Sequence, residues 1–255
     1  MELEIVNDPL DSIVGLGGVF TSAHTTTSWQ IQDVRVVCDL VTLDSALQNS
    51  YAEHVLSGKA LPINYGTYIA QFEAITSSDF TVNVSRSASR LKSVFINFDG
   101  AHANTGANDL FHRSFNTFMS SMSDADYTGA TYDFSKELQW QLQIGSKMFP
   151  EYPCRSLAET FYQLKKSLGI HGSAFHSVAI SGNQYLNDKF IIGVDTEKIL
   201  EAGFTGLNTK SGDLMVLRGK YANSNSSSTW ASSVFIILHT DNILEIRDTG
   251  TQVFD

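Results

Sequence analysis

An all-β fold, a sandwich or a barrel, is what this sequence predicts. Apolar and polar residues alternate at period two over much of the chain, about ten such runs can be marked, and Gly, Asn, Ser and Asp separate them. The clearest run is Leu138, Trp140, Leu142 and Ile144 interleaved with Gln139, Gln141 and Gln143, which puts an apolar wall against a core and glutamines on the other face. Similar runs predict strands over 31–43, 67–76, 80–86, 91–98, 175–180, 189–194, 213–218, 229–239, 243–247 and 251–254. Asp248, Thr249 and Gly250 between the last two read as a tight hairpin.

Helices interrupt this pattern where start and stop signals occur together. Ser156 with Glu159 forms a capping box, Leu157, Phe161, Leu164 and Leu168 follow at helical spacing, and Gly169 stands where a left-handed residue would end the helix. A stripe of that kind needs a sheet to lie on. A first helix is expected over 44–57, with Asp44 as its acidic cap, Leu47, Tyr51 and Val55 on one face and Gly58 as its stop. A short third turn over 196–202 ends at Gly203. The glycine-rich head, with Gly15, Gly17 and Gly18, and the unpatterned stretch behind it make residues 1–28 an N-terminal arm before a single domain over 29–255. Residues 100–131 read as a long, partly aromatic loop and 223–228 as a flexible one.

Composition narrows the function classes. A chain of 255 residues can bury a core of its own without metal or disulfide staples. Charged residues are only 17%, below the roughly 25% of an average soluble domain, so Ser, Thr, Asn and backbone must cover part of the surface, which suits a chain that packs against neighbours. The net charge of −10 and the absence of a Lys/Arg run argue against direct nucleic-acid binding and against an anionic membrane surface. No stretch approaches the 18 or so apolar residues that span a bilayer, so no membrane span is expected. Four acidic groups precede the short apolar stretch near Met1, the opposite of a secretory signal, and Cys38 and Cys154 are accordingly expected as reduced thiols in an intracellular setting. Without secretion the sequons at Asn83 and Asn225 count as chance.

Each catalytic pattern in the sequence is incomplete. His239-Thr240-Asp241 would put a histidine and a carboxylate on one face of a strand, as iron oxygenases require, but that centre needs a later histidine and His239 is the last of seven. A plain strand end is the reading that remains. There is no His-x-His; His171 and His176 are five apart in a loop, and His102 and His112 lack partners. Gly15 to Phe20 has part of a dinucleotide fingerprint without its final glycine or a strand–helix unit around it. No nucleophile elbow is present, and Cys38, inside an apolar run, reads as core. Asp44 and Glu159 are assigned to capping. Among the tryptophans, Trp29, Trp140 and Trp230 could stack on sugars, but alternation assigns Trp140 to the core and Trp230 with it. The loop aromatics Phe111, Phe115, Phe118, Tyr127 and Tyr132 are left for partners, as an interface. No catalytic, cofactor or metal residue is therefore assigned, and no cofactor is expected.

Six segments carry a resemblance. They are Trp29-x-Ile-x-Asp33 with Asp39 and Leu43-Asp44; Leu56 to Ile63; Ser89 to Phe98; Gly145 to Pro153 with the helix behind it; Phe204 to Asn208; and His239 to Gly250. Together they resemble the C-terminal jelly roll of the double jelly-roll major capsid proteins of virophages, polinton-like viruses and related large DNA viruses. The resemblance implies a jelly-roll β-sandwich with two or three short helical insertions. It also implies a non-enzymatic structural protein of the virion, assembled inside the host cell, whose copies associate with themselves, as trimers, and with other capsid proteins into an icosahedral shell. Family members carry two successive rolls in a longer chain, whereas about ten strands make one. The chain is then either one half of a longer product or a single-roll relative. A carbohydrate-binding β-sandwich is the alternative that the Ser-, Asn- and aromatic-rich loops equally suit.

Overall fold

The computed structural model describes residues 4, 30–99, 137–173, 175–187, 189–197, 206–221 and 233–254. In chain order the elements are α1 (Ser45–Leu56), β1 (Leu61–Ala74), β2 (Asp79–Val84), β3 (Leu91–Asp99), β4 (Leu138–Ile144), β5 (Lys147–Cys154), α2 (Leu157–Ser167), α3 (Gly182–Asn187), β6 (Ile192–Asp195), β7 (Met215–Tyr221), β8 (Ser233–Arg247) and β9 (Gly250–Phe254).

The strands form two antiparallel sheets. One has the order β1-β8-β3-β6, with β9 also on β8; the other has the order β2-β7-β4-β5. The pairings nest: β1 with β8, β2 with β7, β3 with β6 and β4 with β5. A long hairpin of nested pairs folded over into two sheets is a jelly roll, so the fold follows from strand order alone. The core lies between the sheets. In β4 every second residue is buried, Trp140 to 1% exposure, and the glutamines between are only half-buried. Val94, Ile96 and Phe98 of β3 and Val234, Ile236 and Leu238 of β8 face it from the other sheet.

The helix predicted at 156 has its capping box: the Glu159 N–H donates to Ser156 Oγ at 3.2 Å, and Glu159 Oε2 accepts from the Ser156 N–H at 3.4 Å. α2 packs on β6, burying Thr160 and Leu164, while Leu168 is exposed. Gly58 and Gly169, at φ 80° and 69°, are the left-handed stops that sequence assigned to the two helices.

Several expectations are corrected. Residues 31–43 form no strand: they are exposed coil, with Asp33 in the left-handed region at φ 58°, and the Cys38 side chain is exposed where a core position was expected. The apolar pattern is there, but no strand among the described residues pairs with it. Asp44 sits at the head of α1 with no side-chain capping bond, and α1 buries none of its residues. Residues 175–180 are coil, exposed but for half-buried Val178 and Ile180. The break expected between 239 and 243 does not occur, and β8 runs unbroken for 15 residues with Thr240, Asp241 and Asn242 buried inside it. β5 was not foreseen because Pro150 and Pro153 argue against a strand; it lies at a sheet edge, where proline's missing N–H costs nothing. The arm, the 100–131 and 223–228 loops and most of the 196–202 turn fall outside the described residues.

Candidate interaction surface and polar cluster

On β8 the residues between the core positions, Phe235, Ile237, His239 and Asp241, point to the outer face of their sheet. β1 lies beside them in register, with Tyr68 opposite His239 and Phe72 opposite Phe235. The Tyr68 and His239 rings stack at 4.7 Å and 16°, and Phe72 tilts on Phe235 at 4.9 Å. Tyr68 nevertheless stays 64% exposed and Phe72 57%. This outer face is a ribbon of aromatic surface.

At one end of the ribbon a bulge builds a polar cluster. The β3–β8 register shifts between Leu91 and Ser93, leaving Lys92 as the extra residue. Thr196 holds the bulge: its N–H donates to the Lys92 carbonyl at 3.1 Å and its hydroxyl to the Leu91 carbonyl at 2.9 Å. Lys92 Nζ then lies 3.4 Å from Glu197 Oε1 and 3.6 Å from Asp241 Oδ2. His239 Nδ1 is 3.3 Å from Ser93 Oγ, and a Cβ at Gly66 would come within 3.0 Å of His239 Nε2, so β1 needs a glycine there.

Burial, then Lys92, lower the proton affinity of His239 below its ordinary 6.5, with Asp241 acting against them. Below pH 6.5 the unfolded chain therefore takes up this proton before the folded one, so the histidine's contribution is complete above 6.5 and is lost as pH falls through it. Glu197 acts oppositely: burial chiefly raises its carboxyl above 4.5, so the folded state gains as that group protonates. We expect His239→Gln to flatten the fall in melting temperature just below pH 6.5. An unchanged slope would assign the acid sensitivity elsewhere.

The cluster has one cation facing two carboxylates and a histidine of lowered proton affinity, its one hydroxyl beside that histidine, Ser93 Oγ, is buried, and no group of metal-binding side chains occurs among the described residues. Its geometry braces β3, β8 and the segment after β6 against one another. His239 and Asp241 do share a face, as the His-x-Asp spacing foretold, although in mid-strand and not at a strand end. Lys92, Ser93, Tyr68 and Glu197 were missed, since they come from distant segments with no common spacing. His171 and His176 lie apart from this site in exposed coil. Trp140 is core, its Nε1–H donating to Thr160 Oγ1 at 3.0 Å. His102, His112, Trp29, Trp230, the glycine-rich head and the loop aromatics lie outside the described residues.

A cleft of about 370 Å³ between α2 and α3 is lined by Ser156, Leu157, Ala158, Phe161, Gly182 and Tyr185. Its hydroxyls are already engaged, Ser156 in the helix cap and Tyr185 as donor to the Ile191 carbonyl at 2.7 Å. Cys154 is buried, and burial pushes its thiol up to about 12, which leaves it a poor nucleophile.

No family model matches the chain, and no curated protein matches it. Solved structures do. The PBCV-1 VP54 crystal structure fitted into a cryo-EM reconstruction of the virophage Sputnik is 13% identical with a TM-score of 0.48, over 84% of this chain and 55% of that one. A quasi-atomic model of the PBCV-1 virus capsid is 12% identical at 0.43, with the same coverage. The cryo-EM structure of the Sputnik virophage is 9% identical at 0.39, over 76% of this chain and 39% of that one. The chain thus spans about half the length, or less, of the solved chains it matches. These superpositions are loose, and the jelly roll stands on the nested pairing of its strands.

Proposed function

We propose that the protein is a structural capsid protein that works by association and not by turnover. Its copies build capsomers, trimers by the sequence resemblance, and these join other capsid proteins in the icosahedral shell of a virion assembled inside the host cell. The observation that carries this reading is how much apolar side chain the jelly roll leaves outside its own core. Tyr68 and Phe72 stand on the outer sheet face, and Val37, Leu40 and Val41 are 92%, 94% and 80% exposed on the coil segment before α1. Large apolar side chains left exposed in groups of this kind mark sites where another protein docks. The net charge of −10 supports contact with protein and not with nucleic acid.

Light scattering over a concentration series and negative-stain microscopy test the reading. Assemblies with threefold rings are expected, since shell contacts bury on the order of 800 Å² per partner. A protein that stays monomeric at high concentration and selects one saccharide on a glycan array would replace this reading with the carbohydrate-binding one.

A further inference from the structure

Among the described strands the free edges of the two sheets are β1, β6, β9, β2 and β5, and all but β1 are short or blunted, β9 having only 5 residues. β5 carries Pro150 and Pro153, β6 has 4 residues and lies under α2, and β2 has only 6 residues. β1 differs. It is 14 residues long, pairs with β8 without a register shift, holds no Lys or Arg, and has its single proline at the second position. A long, flat edge of this kind leaves a row of backbone donors and acceptors open to another strand. The same chain also holds the complementary part. Residues 31–43 are of nearly the same length, carry the β-branched pattern of a strand, and pair with nothing among the described residues. Their only described side-chain bonds join Arg35 to Asp33, at 2.7 Å. Charge does not oppose a match, since Asp33, Arg35 and Asp39 would face a strand whose one charged residue is Glu73.

Within one copy neither part uses the other, although only α1 and a short link separate them. We infer that residues 31–43 of one copy add as a strand to the free β1 edge of a second copy. The inference rests on the association reading and names the contact that such association uses. Strand addition satisfies both open backbones, gives the exposed valines and leucines a surface to cover, and sets α1 across the junction. Reciprocal exchange closes a dimer, and head-to-tail exchange closes a ring.

Cys38 lies in the middle of the donated segment and is exposed, which makes it a built-in reporter, while Cys154 is buried. A disulfide forms only where Cα atoms come within about 7 Å. Asn64→Cys, Tyr65→Cys, Thr67→Cys, Tyr68→Cys and Ala70→Cys, made one at a time in the full chain, therefore scan the edge for its register. Mild oxidation and a non-reducing gel are expected to give covalent dimers or larger species for at least one variant, reversed by reductant and abolished by adding Cys38→Ser. Only a fast-migrating monomer with an internal disulfide, or no Cys38 disulfide at any position, overturns the inference. If the unsubstituted protein still forms assemblies in light scattering, strand exchange falls and association stands; if it is monomeric throughout, both fall.

Discussion

Trp140→Ala is expected to lower stability by roughly 3–5 kcal/mol in urea denaturation, the usual loss for emptying a large core site. The indole is 1% exposed at the middle of β4, paired on one side with β7 and on the other with β5, so neither neighbour can collapse into the space without leaving its ladder. The hydrogen bond to Thr160 adds little to the loss, because the threonine hydroxyl still donates to the Ser156 carbonyl at 2.9 Å. The cost is therefore a cavity cost, insensitive to pH and salt. An unchanged urea midpoint would remove β4 from the core.

Lys92→Met is expected to cost about 3 kcal/mol at neutral pH, near the lower end for uncoupling a buried ion pair, because Lys92 is itself partly exposed. The lost attraction is the smaller part. Without the ammonium, Glu197 and Asp241 are left as carboxylates with side chains 14% and 10% exposed and no cation between them. That origin has a signature that a packing defect lacks. The loss should shrink in mildly acidic solution as one carboxyl takes up a proton, and adding Asp241→Asn should recover part of it. A loss equal at neutral and mildly acidic pH would show that Lys92 contributes through its methylenes and not through its charge.

The sandwich was legible because alternation reports burial faithfully wherever both sheets belong to one chain. Residues 138–144 show this, each apolar position buried and each glutamine half out. Residues 31–43 show the limit of the same signal. Their pattern states that the segment suits a sheet, but not whether that sheet lies in the same molecule, and so Cys38 was expected in the core and is found exposed. Polarity misled at Thr240, Asp241 and Asn242, where three polar residues imitate a turn. The strand continues with polar groups paired inside it: the Asp241 N–H donates to the Arg90 carbonyl at 3.1 Å, the Thr240 hydroxyl to Asn242 Oδ1 at 3.3 Å, and Asp241 Oδ2 lies 3.6 Å from Lys92 Nζ. Of the polar cluster only His239 and Asp241 could be read together, being two apart on one strand. A bulge that turns Lys92 toward Glu197 leaves no mark in local spacing.

The nesting of the pairs also orders events during translation. β1 is the first described strand of its sheet to be made, yet its one partner among the described strands is β8, with Ala74 opposite Ser233. At about 5–20 residues per second, the roughly 160 residues between them take on the order of 8–30 seconds to appear. Throughout that interval Tyr65, Tyr68 and Phe72 lie on a nascent strand without its β8 partner, and no described strand of the same chain pairs with it earlier. The fold therefore depends on whatever keeps a half-made chain from its neighbours on the same message, and slower elongation lengthens the exposure.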